Sequence, residues 1–170
     1  SIGNNKYIDT NYNPVNTLGN LQQNSSSMGF YSRTGGSGNT MEMGFSGSSS
    51  PYFVTQVAFN GTKCYVEMSN AIGEGFSNTS RLGFFSASRT NANNYKVYKN
   101  GGVLGTENVV SSPIISLNLH LLGADHSHIE YRSNIQMAFA FAGRGLTDAE
   151  MIILTNAIEA YMDSNGKGVI

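Results

Sequence analysis

Apolar and polar residues alternate along most of this chain, and glycine, asparagine and serine interrupt the alternation at short intervals. Alternation with period two is the signature of a half-buried strand, because successive side chains point to opposite faces. The clearest case is YFVTQVAFNGTKCYVEMS, residues 52–69, where Asn60-Gly61 supplies the positive-φ pair of a type I′ hairpin turn. A two-residue turn there pairs Phe59 with Thr62, Val57 with Cys64, Thr55 with Val66 and Phe53 with Met68, gathering the apolar residues on one face. The other face then carries Ala58, Gln56 and Val54 opposite Lys63, Tyr65 and Glu67, a mixture fit to meet water or a ligand.

The same pattern recurs in SMGFYSRT (Met28 and Phe30 against Tyr31 and Arg33), in TMEMGFSG (Met41, Met43 and Phe45 against Glu42) and in LNLHLL (Leu117, Leu119 and Leu121 against Asn118 and His120). YKVYKNGGVLGT predicts a second hairpin turning near Asn100-Gly101, and RLGFFSAS and IQMAFAFA add further strands. The GGSG run at 35–38 reads as a loop between strands. One segment departs from period two. LTDAEMIILTNAIEAYMDSNG has Thr147 and Glu150 at capping-box spacing, apolar residues Met151, Leu154, Ile158 and Tyr161 or Met162 at helical intervals, and a stop at Asn165-Gly166. It predicts a single helix over about 147–163. Ala138, Ala140 and Ala142, on one side of the preceding strand, offer a flat surface on which that helix is expected to dock as a lid on an edge or end. Many short strands and one terminal helix define an all-β class, a jelly-roll β-sandwich spanning residues 1–170 as one domain.

Composition narrows the partners. Ten Lys and Arg against 11 Asp and Glu give a net charge of -1, so no long-range field draws phosphate backbones or anionic lipid. Nucleic acid is therefore not an expected partner. No apolar run reaches the roughly 18 residues of a spanning helix, so membrane insertion is not expected either. Charged residues make up only 12%, leaving the surface to amides and hydroxyls, a composition that suits secreted or virion-surface proteins. Cys64 is the single cysteine and reads as a small buried apolar residue. A chain that opens on Ser is expected to be a fragment of a longer one.

Two of the three histidines lie two apart in GADHSHIEYR, residues 123–132. On an extended backbone His126 and His128 share a face and make a two-nitrogen chelate, to which Asp125 or Glu130 adds a third ligand, or which a threefold axis triplicates. The alternative is a polar loop following the 117–122 strand. No metal or other cofactor is required by either reading of the fold. For acid and base chemistry the candidates are Glu42 and Glu67, each without a carboxylate neighbour on its strand. Retaining glycoside hydrolysis needs two carboxyl groups about 5–5.5 Å apart. These two meet only if their strands are adjacent, and the chain is read as non-enzymatic.

YIDTNYNP at 7–14, YKVYKNG at 95–101 and above all AFAFAGRGLTDAEMIILTNAIEAY at 138–161 resemble the concanavalin A-like, LamG-like jelly-roll domains of bacteriophage tail fibres, head fibres and similar virion proteins. The resemblance implies an exposed adhesion or decoration domain at the virion surface, outside the cell, that binds host-surface carbohydrate. Contacts with other virion subunits and a homo-oligomer, with a trimer as the candidate state, are implied as well. A purely structural module and a glycan hydrolase are the alternatives. Sugar binding calls for an aromatic face and polar groups that meet hydroxyls. The outward set Tyr31, Arg33, Tyr65 and Glu67 is one candidate surface, provided their strands share a sheet. Tyr12, Tyr52, Arg89, and Tyr131 with Arg132, are loop alternatives.

Overall fold

The computed structural model describes residues 7–16, 19–47, 51–59, 61–70, 73, 75–126 and 132–170. In chain order the strands are β1 (Ile8–Asp9), β2 (Ser26–Ser32), β3 (Met43–Ser46), β4 (Tyr52–Phe59), β5 (Lys63–Asn70), β6 (Phe76–Ser77), β7 (Gly83–Arg89), β8 (Tyr95–Lys99), β9 (Gly102–Glu107), β10 (His120–Leu121), β11 (Asp125–His126) and β12 (Met137–Gly143). Helix α1 (Asp148–Ser164) follows. A seven-stranded sheet runs β1-β10-β3-β4-β5-β6, with β11 also pairing with β3, at Phe45 and Ser46, and a five-stranded sheet runs β12-β2-β7-β8-β9. All pairings are antiparallel except β11 with β3. The chain is thus a jelly-roll β-sandwich with one C-terminal helix, as the alternation predicts.

The core lies between the two sheets. Met28 and Phe30 of β2, Phe85 and Ala87 of β7 and Val97 of β8 meet Met43, Phe45, Phe53, Val57, Cys64, Val66 and Met68 from the facing sheet. Phe30 stacks on Phe85 at 5.8 Å and Phe45 on Phe53 at 4.9 Å. Each such aromatic burial contributes roughly 1.5–3 kcal/mol. The Cys64 thiol lies inside this core, and burial pushes its pKa up.

The β4–β5 hairpin keeps the predicted faces but not the predicted turn. Phe53 pairs with Met68 and Thr55 with Val66, while Phe59 pairs with Lys63 instead of Thr62, leaving a three-residue connection. A one-residue shift falls between Gln56 and Phe59, and the reason is visible in the polar groups it releases. The Val57 N–H donates to Glu42 Oε2 at 3.1 Å, and the Val57 carbonyl accepts from the Asn78 amide. The second hairpin turns on Asn100 (φ 53°) and Gly101 (φ 79°), with Lys99 opposite Gly102. In the 117–122 stretch only His120 and Leu121 join a ladder, and the positive φ of Leu122 (61°) ends it. Met41 leaves the alternation of TMEMGFSG: it packs with Val54 and Ala124, away from the core that holds Met43 and Phe45.

Helix α1 begins as predicted. Thr147 Oγ1 accepts from Glu150 N at 3.3 Å, and Glu150 Oε2 accepts from Thr147 N at 2.8 Å. Its docking corrects the expectation from the alanines. Ala140 and Ala142 are the cross-strand partners of Phe30 and Met28 and turn toward the core, whereas Phe139 and Phe141 turn outward to the helix. The large β2 side chains fill the interior beside the small β12 ones, and Phe141 lies against Gly29, where a Cβ would come within 2.6 Å of its ring. The helix is therefore neither an end cap nor an edge cap. Met151, Ile158 and Met162 cover the outer face of the five-stranded sheet over Tyr31, Phe84 and Tyr98. That cover explains why β2 and β7 are buried along their whole length.

Candidate functional site

Three loops converge at one end of the sandwich: the glycine-rich 35–39 segment between β2 and β3, Gly61 in the β4–β5 connection, and residues 79–82 leading into β7. They enclose an open cleft of about 580 Å³ whose lining includes Gly35, Ser37, Asn39, Thr79, Ser80 and Arg81. Glycine is required at two points of the first loop, since Gly36 and Gly38 have φ of 52° and 80°. Asn134 holds the loop from outside, accepting from Ser37 N at 3.0 Å and donating to Ser37 Oγ at 3.1 Å. The opposite wall is held by Asn78, which donates to the Ser80 carbonyl at 2.9 Å, and by Lys99, which donates to Asn78 Oδ1 at 2.8 Å.

Arg81, only 7% exposed, forms the floor. Its Nη1 donates to Thr40 Oγ1 at 2.7 Å, its Nη2 donates to the Gly38 carbonyl, and Glu42 Oε1 lies 3.6 Å from Nη1. The Thr40 hydroxyl in turn donates to Glu42 Oε1 at 2.8 Å. Burial pushes the Glu42 carboxyl up to about 7, against the opposing effect of its bonds from Thr40 and Val57 and the charge of Arg81. The guanidinium is thus committed to main chain, hydroxyl and carboxylate beneath the cleft. Hydroxyls, an amide and peptide groups make up the rest of the polar lining, and these match uncharged polyhydroxyl ligands.

Among the described residues, none of those predicted from sequence to bind sugar lines this cleft, and the first candidate set does not assemble. Tyr31 and Arg33 belong to the five-stranded sheet side, Tyr65 and Glu67 to the seven-stranded sheet, so they form no common surface. Tyr31 lies fully buried under α1, where its hydroxyl donates to Glu159 Oε2 and accepts from Val169 N, both at 2.8 Å. Glu67 is buried and accepts from Gly73 N at 2.9 Å and from the Tyr95 hydroxyl at 3.4 Å. Arg89 is buried as well. It donates to the carbonyls of Ala92, Asn94 and Val109 and, through Nη2, to that of Met68 at 3.1 Å, with the Tyr95 ring 5.0 Å away. It fastens the 91–94 and 109 segments to the sandwich, a role for which a planar, always-charged donor is suited.

Arg33 and Tyr12 are half-buried, Tyr12 against the core. Tyr52 and Tyr65 remain half-buried on the outward side of the seven-stranded sheet, Tyr52 beside Val54 and Met41, Tyr65 over Gly75. Arg132 stacks on Tyr7 at 4.0 Å and donates to the Ala124 carbonyl at 3.4 Å. Tyr131, His128 and Glu130 lie outside the described residues, as do the side chains of Asp125 and His126. His120 stacks on Tyr7 at 4.6 Å, with Nε2 3.8 Å from Asp9. Among the described residues no group of three His, Cys, Asp or Glu side chains is placed to hold a metal. No described helix is long and apolar enough to cross a membrane. Glu42 and Glu67 do not meet: β4 lies between their strands, two strand spacings or about 10 Å. The pair required of a retaining hydrolase is not formed.

No family model matches the chain, and no curated protein matches it in sequence. Solved structures match it in shape. The CBM40 of the Ruminococcus gnavus IT-sialidase, bound to alpha2,3 sialyllactose, superposes with a TM-score of 0.54 at 14% identity, over 89% of this chain and 92% of that one. Botulinum neurotoxin type C, in a structure concerned with its interaction with two ganglioside molecules, gives 0.56 at 14% identity over 89% of this chain. This chain spans only 39% of that toxin chain. At such identities the likeness establishes the β-sandwich fold that the strand order already defines.

Proposed function

We propose that this chain is a non-enzymatic carbohydrate-binding domain that takes an uncharged saccharide in the cleft between residues 35–39, Gly61 and 79–82. The observation that carries the reading is the cleft itself: about 580 Å³ lies within the range of small-molecule sites, and its lining offers hydroxyl, amide and peptide groups. The cation that lines it among the described residues, Arg81, is already engaged by Gly38, Thr40 and Glu42. An anionic sugar gains little from it. The CBM40 and toxin neighbours, which are described with sialyllactose and gangliosides, support glycan binding in general. The virion surface is the home this reading adopts, on the resemblance of the 138–161 segment to phage fibre domains. A homo-oligomer fits it, because several copies compensate for weak single sites.

The test is titration of the purified chain with a panel of neutral and sialylated oligosaccharides, read by amide chemical shifts. Saturable shifts at Ser37, Asn39 and Ser80 with a neutral saccharide are expected. Shifts confined to the outward face around Tyr52 and Tyr65 would move the site. Failure of every saccharide to perturb the chain would leave the structural-module reading.

A further inference from the structure

β12 is the outermost strand of the five-stranded sheet, hydrogen-bonded to β2 on one side and to no other strand among the described residues. At seven residues it is longer than β1 or β6, which end the other sheet with two each. Its register with β2 is shifted once, between Met137 and Phe139, and then runs unbroken from Phe139 to Gly143. A stretch of this kind presents a row of unpaired N–H and C=O groups at every second residue, which is the complement of another strand.

Beside this edge the sandwich has an open apolar seam. Two hollows of about 190 and 180 Å³ lie along it, sharing Leu121 and Ala140. Ala142 and Met43 line the first, Ala138 and Met137 the second, and the exposed Ile8 stands at the rim of the second. Among the described residues no charged side chain lines either hollow. The spacing is the informative feature. Ala140 and Ala142 occupy alternate positions on the inward side, so the space left by their small side chains repeats after two residues, about 7 Å along the strand. A strand laid against β12 places its own inward side chains at that same repeat.

We propose that the β12 edge is a docking site for one extended segment of a partner protein, with branched apolar side chains at alternate positions that enter the two hollows. Main-chain hydrogen bonds to Phe139–Gly143 supply affinity, and the hollows select the side chains, as in other strand-addition interfaces. The two hollows share no lining residue with the 35–39 cleft, so a peptide in the one and a saccharide in the other contact different side chains.

The probe is an acetylated, amidated hexapeptide of alternating threonine and valine, added to the full 170-residue chain. The expected result is saturable amide shifts and slowed amide exchange confined to 139–143 and 120–122. A peptide N-methylated at alternate residues should bind at least about tenfold more weakly, as should the Ala140→Phe variant, which adds a ring at the residue common to both hollows. No shifts with the peptide, or equal binding of its N-methylated form, would overturn the proposal. So would amides at 139–143 that are already protected in the free monomer, or protection that grows with protein concentration, since this chain itself would then hold the edge. The N-methylated peptide keeps the test valid if Ala140→Phe fails to fold.

Discussion

The carboxylate of Glu42 and the guanidinium of Arg81 face each other at 3.6 Å beneath the cleft, both bonded to the hydroxyl of Thr40 and both shielded from water. Burial raises the Glu42 pKa from 4.5 to about 7, so the folded chain holds this proton more tightly than the unfolded one. The contribution is fully present below the unfolded value and is lost as pH rises through about 7. Stability should therefore decline between about pH 4.5 and 7 by at most a few kcal/mol, and Glu42→Gln should flatten that slope. Arg81→Met leaves the carboxylate without its partner. It should cost roughly 3–5 kcal/mol at about pH 8 and clearly less at about pH 5, where the carboxyl is neutral. Urea unfolding at the two pH values measures this, and an equal cost at both would refute the coupling.

Arg89 donates to main-chain carbonyls from β5, the 91–94 turn and residue 109. Arg89→Met should destabilise by about 3 kcal/mol or more, because several buried carbonyls lose their donor at once. Lysine should recover only part of that, having a compact head in place of the planar fork. Chemical denaturation of both variants orders them, and Lys equal to wild type would show that charge alone suffices.

Tyr31 was a reasonable sugar-binding candidate from its strand position, and what removes it is a helix 128 residues away in sequence. Tyr31→Phe deletes the donor to Glu159 and the acceptor for Val169 and should lower stability by about 1 kcal/mol. Saccharide titration of the variant should match wild type. Tyr65→Ala, on the outward face, should leave binding unchanged if the cleft is the site, and a loss would return that face to the argument.

What was legible in the sequence was whatever the chain decides locally. Inward and outward positions of β4 and β5, the capping box of α1 and the Asn100-Gly101 turn follow from neighbouring residues alone. The bulge at Val57 does not, since its released groups are met by Glu42 and Asn78, 15 and 21 residues away. Alternating Ala and Phe in β12 are all apolar, so period two carries no sign of which set faces the helix. The cleft escaped for a similar reason. Its walls come from three loops, and Arg81 sat in RLGFFSAS, read as strand. The GGSG run followed by Asn39 was the available signal, since glycines clear space and an amide beside them offers hydrogen bonds to a ligand.

The α1 cap is a quantitative control on the same structure. Thr147→Ala removes the acceptor for Glu150 N and should cost about 1 kcal/mol, visible as a lowered Tm, without altering ligand binding. A loss of several kcal/mol would mean that the helix end also anchors β7, where Leu146 N donates to Ser88 Oγ at 2.7 Å.

Gly35 offers the sharpest test of the cleft. A Cβ built there meets no heavy atom within 4 Å, and its φ lies outside the left-handed region, so a larger side chain can be added without backbone strain. Gly35→Trp projects an indole into the volume where a saccharide would sit. Its stability should stay within about 0.5 kcal/mol of wild type, as for other exposed substitutions. Its affinity for the neutral saccharide should fall by at least about tenfold, equivalent to about 1.4 kcal/mol. The comparison is calorimetric titration of wild type and variant alongside their unfolding curves. Undiminished binding by a folded variant would place the sugar elsewhere on the sandwich.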